Sequence, residues 1–153
     1  MPGFEWIDDE EKNAVISVFD EGGILFAHGF DGMRKHFHIR EFEQKAQEYF
    51  QVEHCLAVAS GTAAIKVALK SVGVQPGDEV ITQAFNFIAT VEAILDCGAV
   101  PVITNVDSSL NMAVDDLKSL ITNKTKAILP VHMLGVSANR KAILKIATEH
   151  GIP

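Results

Sequence analysis

The sequence predicts an α/β fold, a mostly parallel sheet with helices on both faces. Three observations carry the prediction. After residue 52, short runs rich in β-branched and apolar residues alternate with amphipathic stretches of helical period. Glycines close the helical stretches at Gly73, Gly98 and Gly151. Pro76-Gly77-Asp78 supplies a turn where one α/β unit passes to the next.

Taken in order, the first helix is predicted over Asp9 to Asp20, stopped by Gly22-Gly23. The second is predicted over Ile39 to Phe50, where Ile39, Phe42, Ala46 and Phe50 recur on one face. The stretch "ILFAHGFDGMRKHFH" between them reads as a loop. A strand over Cys55 to Ala59 and a helix over Thr62 to Val72 follow, then a strand over Glu79 to Gln83 and a helix over Phe87 to Cys97. The last two pairs are Val100 to Thr104 with Val114 to Ile121, and Lys126 to Val131 with Asn139 to His150. This divides the chain into an N-terminal helical segment with its loop, 1–52, and an α/β part, 53–153. The chain stops at "GIP", where the rhythm calls for another strand, so the expectation is of a sheet only partly represented.

At 153 residues, 48% hydrophobic and 22% charged, the chain has the composition of an ordered globular protein. A formal net charge of −7 disfavours a nucleic-acid or anionic-membrane partner, because polyanions select clustered Lys and Arg. The one basic cluster is "RKHFHIR", 34–40. Cys55 and Cys97 lie apart in apolar stretches and read as buried, reduced thiols, which points to the cytoplasm. The acidic start "MPGFEWIDDEEK" lacks the pattern of a signal peptide, and no apolar run is long enough to span a bilayer.

The stretch "AVASGTAAIK" places Ser60-Gly61-Thr62 where a strand would give way to a helix. Ser60 or Thr62 can cap that helix. The same three residues can also hold a phosphate, since Gly61 lets the backbone approach an anion and the hydroxyls on either side can donate to it. No GxxxxGK[ST] and no GxGxxG accompanies them, so neither a nucleotide P-loop nor a dinucleotide fingerprint is present. Phe87 in "QAFNF" reads either as core, with Val91, Ile94 and Leu95, or as a ring offered to a ligand, and Phe85 is a second candidate for that role. His132 in "PVHMLG" falls at a strand end, where a structural hydrogen bond is the ordinary role, and it is assigned no chemistry. His36 and His38 make a weak metal signal, because their spacing comes with no neighbouring Cys or carboxylate in sequence.

Read together, "SGTAAIKVALKSVGVQPGDEVITQAFNFIATVEAILDCGAVPVITNVD" and "ITNKTKAILPVHMLG" resemble the sugar aminotransferases of DegT-StrS type. The resemblance runs over about residues 5–153. It implies the large domain of a fold-type I enzyme dependent on pyridoxal 5'-phosphate (PLP), represented here only by its first part. It further implies transfer of an amino group from glutamate or glutamine to a nucleotide-linked keto sugar, the substrate class typical of the family, and a homodimer at full length. Under it, Ser60, Gly61 and Thr62 hold the PLP phosphate and Phe87 stacks on the pyridine ring. Arg34, Lys35 or Arg40 would lie where substrate phosphates arrive.

The family's Schiff-base lysine and pyridine-nitrogen aspartate fall beyond the chain end, so no catalytic residue and no metal is assigned among residues 1–153, and the 153 residues alone are expected to be inactive. Lys66 and Lys70 are expected on the polar side of their helix. Gln83 and Asn86 replace the family's proline and threonine, Asn105 its aspartate, and Ala113-Val114 its frequent aspartate-proline. A PLP-dependent or pyridoxamine-phosphate-dependent sugar dehydratase of the same family, and a non-catalytic module, are the alternative readings.

Overall fold

The computed structural model describes residues 3–153. The chain forms two compact units, one ending at Ala57 and one running from Val58 to Pro153. In the first, a 3-10 turn at Phe4–Trp6 precedes α1, Asp9–Asp20. Asp8 caps α1: its carboxylate accepts from the Glu10 amide at 2.8 Å while Glu11 Oε2 accepts from the Asp8 amide at 2.9 Å. Those two bonds occupy orphan donors that any helix start presents. α2 spans His38–Phe50. No helix or strand interrupts the loop between α1 and α2, as the sequence predicts.

The strand expected over Cys55 to Ala59 does not form. An apolar run favours extended backbone, but a strand also needs a neighbour to complete its ladder, and no strand of the described residues pairs with it. The amide of Ala57 donates instead to the Glu43 carboxylate at 2.8 Å. Glu43, buried on α2, also meets His28 Nε2 at 3.1 Å. The Ala57 amide first, and then His28, hold the Glu43 carboxyl below its ordinary range.

The second unit opens with α3, Gly61–Ser71, and continues through β1 Glu79–Gln83, α4 Ala89–Asp96, β2 Val100–Thr104, α5 Val114–Leu120, β3 Thr125–Leu129 and α6 Arg140–His150. The strands make one parallel sheet in the order β2-β1-β3. Opposite Val80 stand Pro101 and Ala127, and opposite Ile81 stand Val102 and Ile128. As the central strand, β1 is covered on both faces, and Val80, Ile81, Thr82 and Gln83 are all 0% exposed. Val80 enters a cluster with Leu69, Ala93, Ile94 and Cys97 from α3 and the end of α4. Ile81, pointing the other way, enters a cluster with Met112, Leu117, Ile143 and Ile146 beside α5 and α6. The doubly covered parallel sheet expected from the alternation is therefore present.

Element ends differ from expectation by a residue or two for local reasons. β3 stops at Leu129 because Pro130 has no amide to give a ladder. α4 begins at Ala89, leaving Phe87 and Ile88 ahead of it. Cys97 is buried as expected, whereas Cys55 is only half-buried; both are free thiols.

The helices α3 and α4 end at the same edge of the sheet. The Gly77 amide, in the turn before β1, donates to the Gly98 carbonyl after α4 at 2.9 Å. Gly98 has φ +75, and a Cβ there would sit 3.0 Å from Pro76 Cβ and Cγ and 3.2 Å from its Cα. Both helices thus finish at the amino edge and run antiparallel to the strands. At 1.5 Å per residue α3 is about 16 Å long, close to the reach of a five-residue strand, so α3 starts at the carboxyl edge. Gly98→Ala is expected to destabilise this unit by more than about 1 kcal/mol, because it combines a left-handed backbone with overlap against Pro76. A urea unfolding curve with a lowered midpoint checks this.

Candidate functional site

In open parallel sheets, ligands gather outside the carboxyl ends of the strands. Ser60 leads into α3 there, with extended backbone at φ −161 and ψ 163. Its Oγ accepts from the Ala63 amide at 3.1 Å, and its carbonyl accepts from the Ala64 amide at 3.0 Å. The capping role read from the sequence is therefore real. It leaves the amides of Gly61 and Thr62 without intrahelical acceptors, because nothing precedes them in the helix to accept. A Cβ built on Gly61 would meet no atom within 4 Å. α3 has no acidic residue in its first turn, unlike α1, α2, α4 and α5, so no carboxylate opposes an anion at this end.

Phe87 lies just before α4, with its carbonyl accepting from the Thr90 amide at 3.1 Å. Its side chain is 75% exposed, so the core role does not hold; Phe85, at 45%, is the less exposed ring. The packing of α3 and α4, both ending at the amino edge, puts Phe87 and Ser60-Gly61-Thr62 at the same edge. Among the described residues no hydrogen bond joins these two groups.

Gln83 ends the central strand fully buried. Its Nε2 donates to the carbonyls of Phe85 at 3.1 Å and Leu110 at 3.2 Å, and its Oε1 accepts from the Val131 amide at 3.0 Å. Asn86 Nδ2 donates back to the Gln83 carbonyl. Asn111, also fully buried, accepts from the Met133 amide through Oδ1 at 3.1 Å. Its Nδ2 donates to Ser109 Oγ at 3.0 Å. These two amides were not singled out from the sequence as site residues. Alternation along β1 carried the signal, since it places Gln83 on the buried face of Ile81.

The other departures from the family pattern find local roles. One Asp116 carboxylate oxygen accepts from Thr104 Oγ1 at 3.2 Å, from the Asn105 amide at 2.9 Å and from Asn105 Nδ2 at 3.1 Å. An aspartate at 105 could not make the last of these bonds. Asp107 Oδ1 accepts from Ser109 Oγ at 2.6 Å and from its amide at 2.8 Å, which holds the Asp107 carboxyl below its ordinary range, the hydroxyl contributing most. Ala113 leads α5 without a side-chain cap.

His132 Nδ1 accepts from the Ala138 amide at 3.0 Å, the structural bond expected for it. Lys66 pairs with Asp96 at 3.0 Å, and Lys70 Nζ donates to the carbonyls of Cys97 at 3.2 Å and Val74 at 3.3 Å. In the first unit, Arg34 donates to the carbonyls of Phe26 at 2.6 Å and Ala27 at 3.1 Å, and Arg40 pairs with Asp31 at 2.5 Å. Both guanidiniums lie over the Phe37 ring, at 4.5 and 4.4 Å from its centre. Arg34 and Arg40 thus make contacts within the unit, while the buried Arg34 Nε has no hydrogen-bond partner among the described residues.

Folding also brings Glu21 onto His36, a carboxylate that the local sequence did not reveal. The His36 contact holds the Glu21 carboxyl below its ordinary range. No metal-holding cluster of three or more His, Cys, Asp or Glu is present among the described residues. No described helix is long and apolar enough to cross a membrane. Two half-open pockets lie elsewhere: about 200 Å³ lined by residues such as Leu25, Arg34 and His38, and about 240 Å³ between β3 and α6 beside His132. Ser60, Gly61, Thr62 and Phe87 stand at neither.

Comparison with known proteins gives a consistent result. The DegT/DnrJ/EryC1/StrS aminotransferase family model matches residues 8–153. GDP-perosamine synthase of Vibrio cholerae is 36% identical over 147 residues, covering 95% of this chain and 38% of that protein. The crystal structure of 3-amino-5-hydroxybenzoic acid synthase superposes with a TM-score of 0.85 at 33% identity, covering 99% of this chain and 38% of that one. NtdA of Bacillus subtilis, solved with bound cofactor PMP, superposes with a TM-score of 0.80 at 30% identity over 95% of this chain and 32% of its own. The chain therefore spans about 30–42% of the length of the curated relatives it matches.

The cap can be tested without any ligand. Ser60→Ala removes the acceptor for the Ala63 amide and is expected to cost about 0.5–2 kcal/mol of stability, read as a lowered thermal or urea midpoint.

Proposed function

Because this chain belongs to the DegT/DnrJ/EryC1/StrS aminotransferase family, we propose that its second unit is the first part of the PLP-binding domain of a sugar aminotransferase. The full-length protein would move an amino group from glutamate or glutamine to a keto sugar, with a nucleotide-linked sugar as the substrate class. The relative named for GDP-perosamine supports that class. Homodimerisation and a cytoplasmic location belong to the same proposal, the latter resting on the two free thiols.

The observation that carries the reading is the start of α3, where a glycine with open space above it joins two amides lacking intrahelical acceptors. Those features fit a phosphate. The Gly61 and Thr62 amides would donate to its oxygens, aided by the positive end of the helix. Ser60 Oγ already accepts from Ala63, and this leaves its own hydroxyl proton free to donate. Thr62 would add a second hydroxyl. Phe87, exposed at the same edge, would cover one face of the cofactor ring and keep water from it. When bound, the cofactor supplies the electron sink for the carbon that gains or loses the amino group. Lys66 and Lys70 are committed to Asp96 and to the carbonyls of Val74 and Cys97, which argues against either as the reacting amine.

Cofactor affinity of the full-length protein tests the reading. Thr62→Val is expected to weaken PLP binding by about 10- to 150-fold, the usual worth of a hydrogen bond to a charged group. Phe87→Ala is expected to weaken it by about 2- to 12-fold. Both are measured by titration of the cofactor's absorbance. Unchanged affinity in Thr62→Val would remove the phosphate assignment, and unchanged affinity in Phe87→Ala beside a loss in Phe85→Ala would move the stack to Phe85.

A further inference from the structure

A carboxamide has two N–H donors and one carbonyl acceptor, and a buried one is costly unless they are used. Gln83 uses all of them, each on a backbone group in a different loop. Phe85 lies between β1 and α4, Leu110 between β2 and α5, and Val131 between β3 and α6. The sheet order adds a topological reason: the chain leaves β1 for β2 on one side and later returns to β3 on the other. The carboxyl end of β1 is therefore the switch point, where crossovers diverge and ligands enter such sheets.

The loop after β2 is also held against its own preference. Leu110 has φ +63, a conformation that a leucine keeps only when its surroundings over-determine it. Its carbonyl accepts from Gln83, and its amide donates to the Asp107 carbonyl at 3.0 Å. Asn111 beside it adds the bond to the Met133 amide, a second tie between the β2 and β3 loops.

We infer that Gln83 is the positioning residue of this edge: one buried carboxamide sets the loop that carries Phe85 and Phe87 against the loops that follow β2 and β3. Its consequence for cofactor binding rests on the functional reading above, whereas its consequence for loop geometry does not. Gln83 touches no reacting group; it acts through the backbone of Phe85 and the ring beyond it.

Two variants of the full-length protein separate positioning from general stability. Gln83→Met keeps the bulk and loses every bond, while Gln83→Glu keeps the acceptor for Val131 and loses both donors. In the cofactor-free protein, residue-resolved hydrogen exchange of the Val131 amide is expected to quicken by about 5- to 100-fold in Gln83→Met and to stay near wild type in Gln83→Glu. Equal quickening of Val131 and of the Ile81 amide within β1, or no change at Val131 in Gln83→Met, would overturn the inference. The comparison of these two amides in Gln83→Met decides the matter even if Gln83→Glu does not fold. For the link to the ring, PLP affinities of Gln83→Met, Phe87→Ala and the double variant form a cycle. Losses that are less than additive are expected, and strictly additive losses would break the link. Absence of PLP binding in the wild type would sink the functional reading, while Val131 exchange would still judge Gln83.

Discussion

The burial of β1 on both faces is the constraint from which the rest of the second unit follows. A central parallel strand has no solvent side, so the polar groups at its carboxyl end need partners inside the protein. Thr82 meets the need with one bond, from its hydroxyl to the Leu129 carbonyl at 2.9 Å. Gln83 needs three, and only the loops after the strands can provide them. The same burial that builds the core therefore also ties down the edge where a ligand would sit.

Much of this was legible in the sequence. Alternating runs and glycine stops marked the helices and the three strands, because period and termination are local properties of the chain. The strand expected at Cys55 to Ala59 was not local in this sense. Its residues favour extension, but the ladder depends on a distant neighbour, and the Ala57 amide goes to the Glu43 side chain instead. Gln83 escaped for a related reason. Its position on the buried face could be counted out by twos, but its partners at Leu110 and Val131 are backbone groups far along the chain, with nothing in their residue types to announce them. The pairing of Glu21 with His36 joins two ends of a loop in the same unannounced way.

Formal charge and open hydrogen-bond donors fall at different places in this chain. The richest basic stretch, 34–40, spends its guanidiniums on the Phe26 and Ala27 carbonyls, on Asp31 and on the Phe37 ring. The start of α3 carries no basic side chain in its opening residues, yet it has free amides, the helix dipole, an open glycine and no carboxylate in its first turn. A formal charge is visible in a sequence, but its availability depends on whether the fold leaves it unspent.

The two edges of the sheet divide the work. At the amino edge Gly98 packs against Pro76, the Gly77 amide bonds across to the Gly98 carbonyl, and Lys70 bridges the Val74 and Cys97 carbonyls. These contacts pack that edge around main-chain groups and the Lys70 ammonium. They also set where α3 and α4 end, and because α3 has about the reach of a strand, they set where α3 begins. The open amides of Gly61 and Thr62 are thus held at the carboxyl edge by packing at the opposite one. At that edge Gln83 bonds to the three loops that follow the strands, so the loop carrying Phe85 and Phe87 is tied to the carboxyl end of the same strand whose amino end the Gly98 contacts secure.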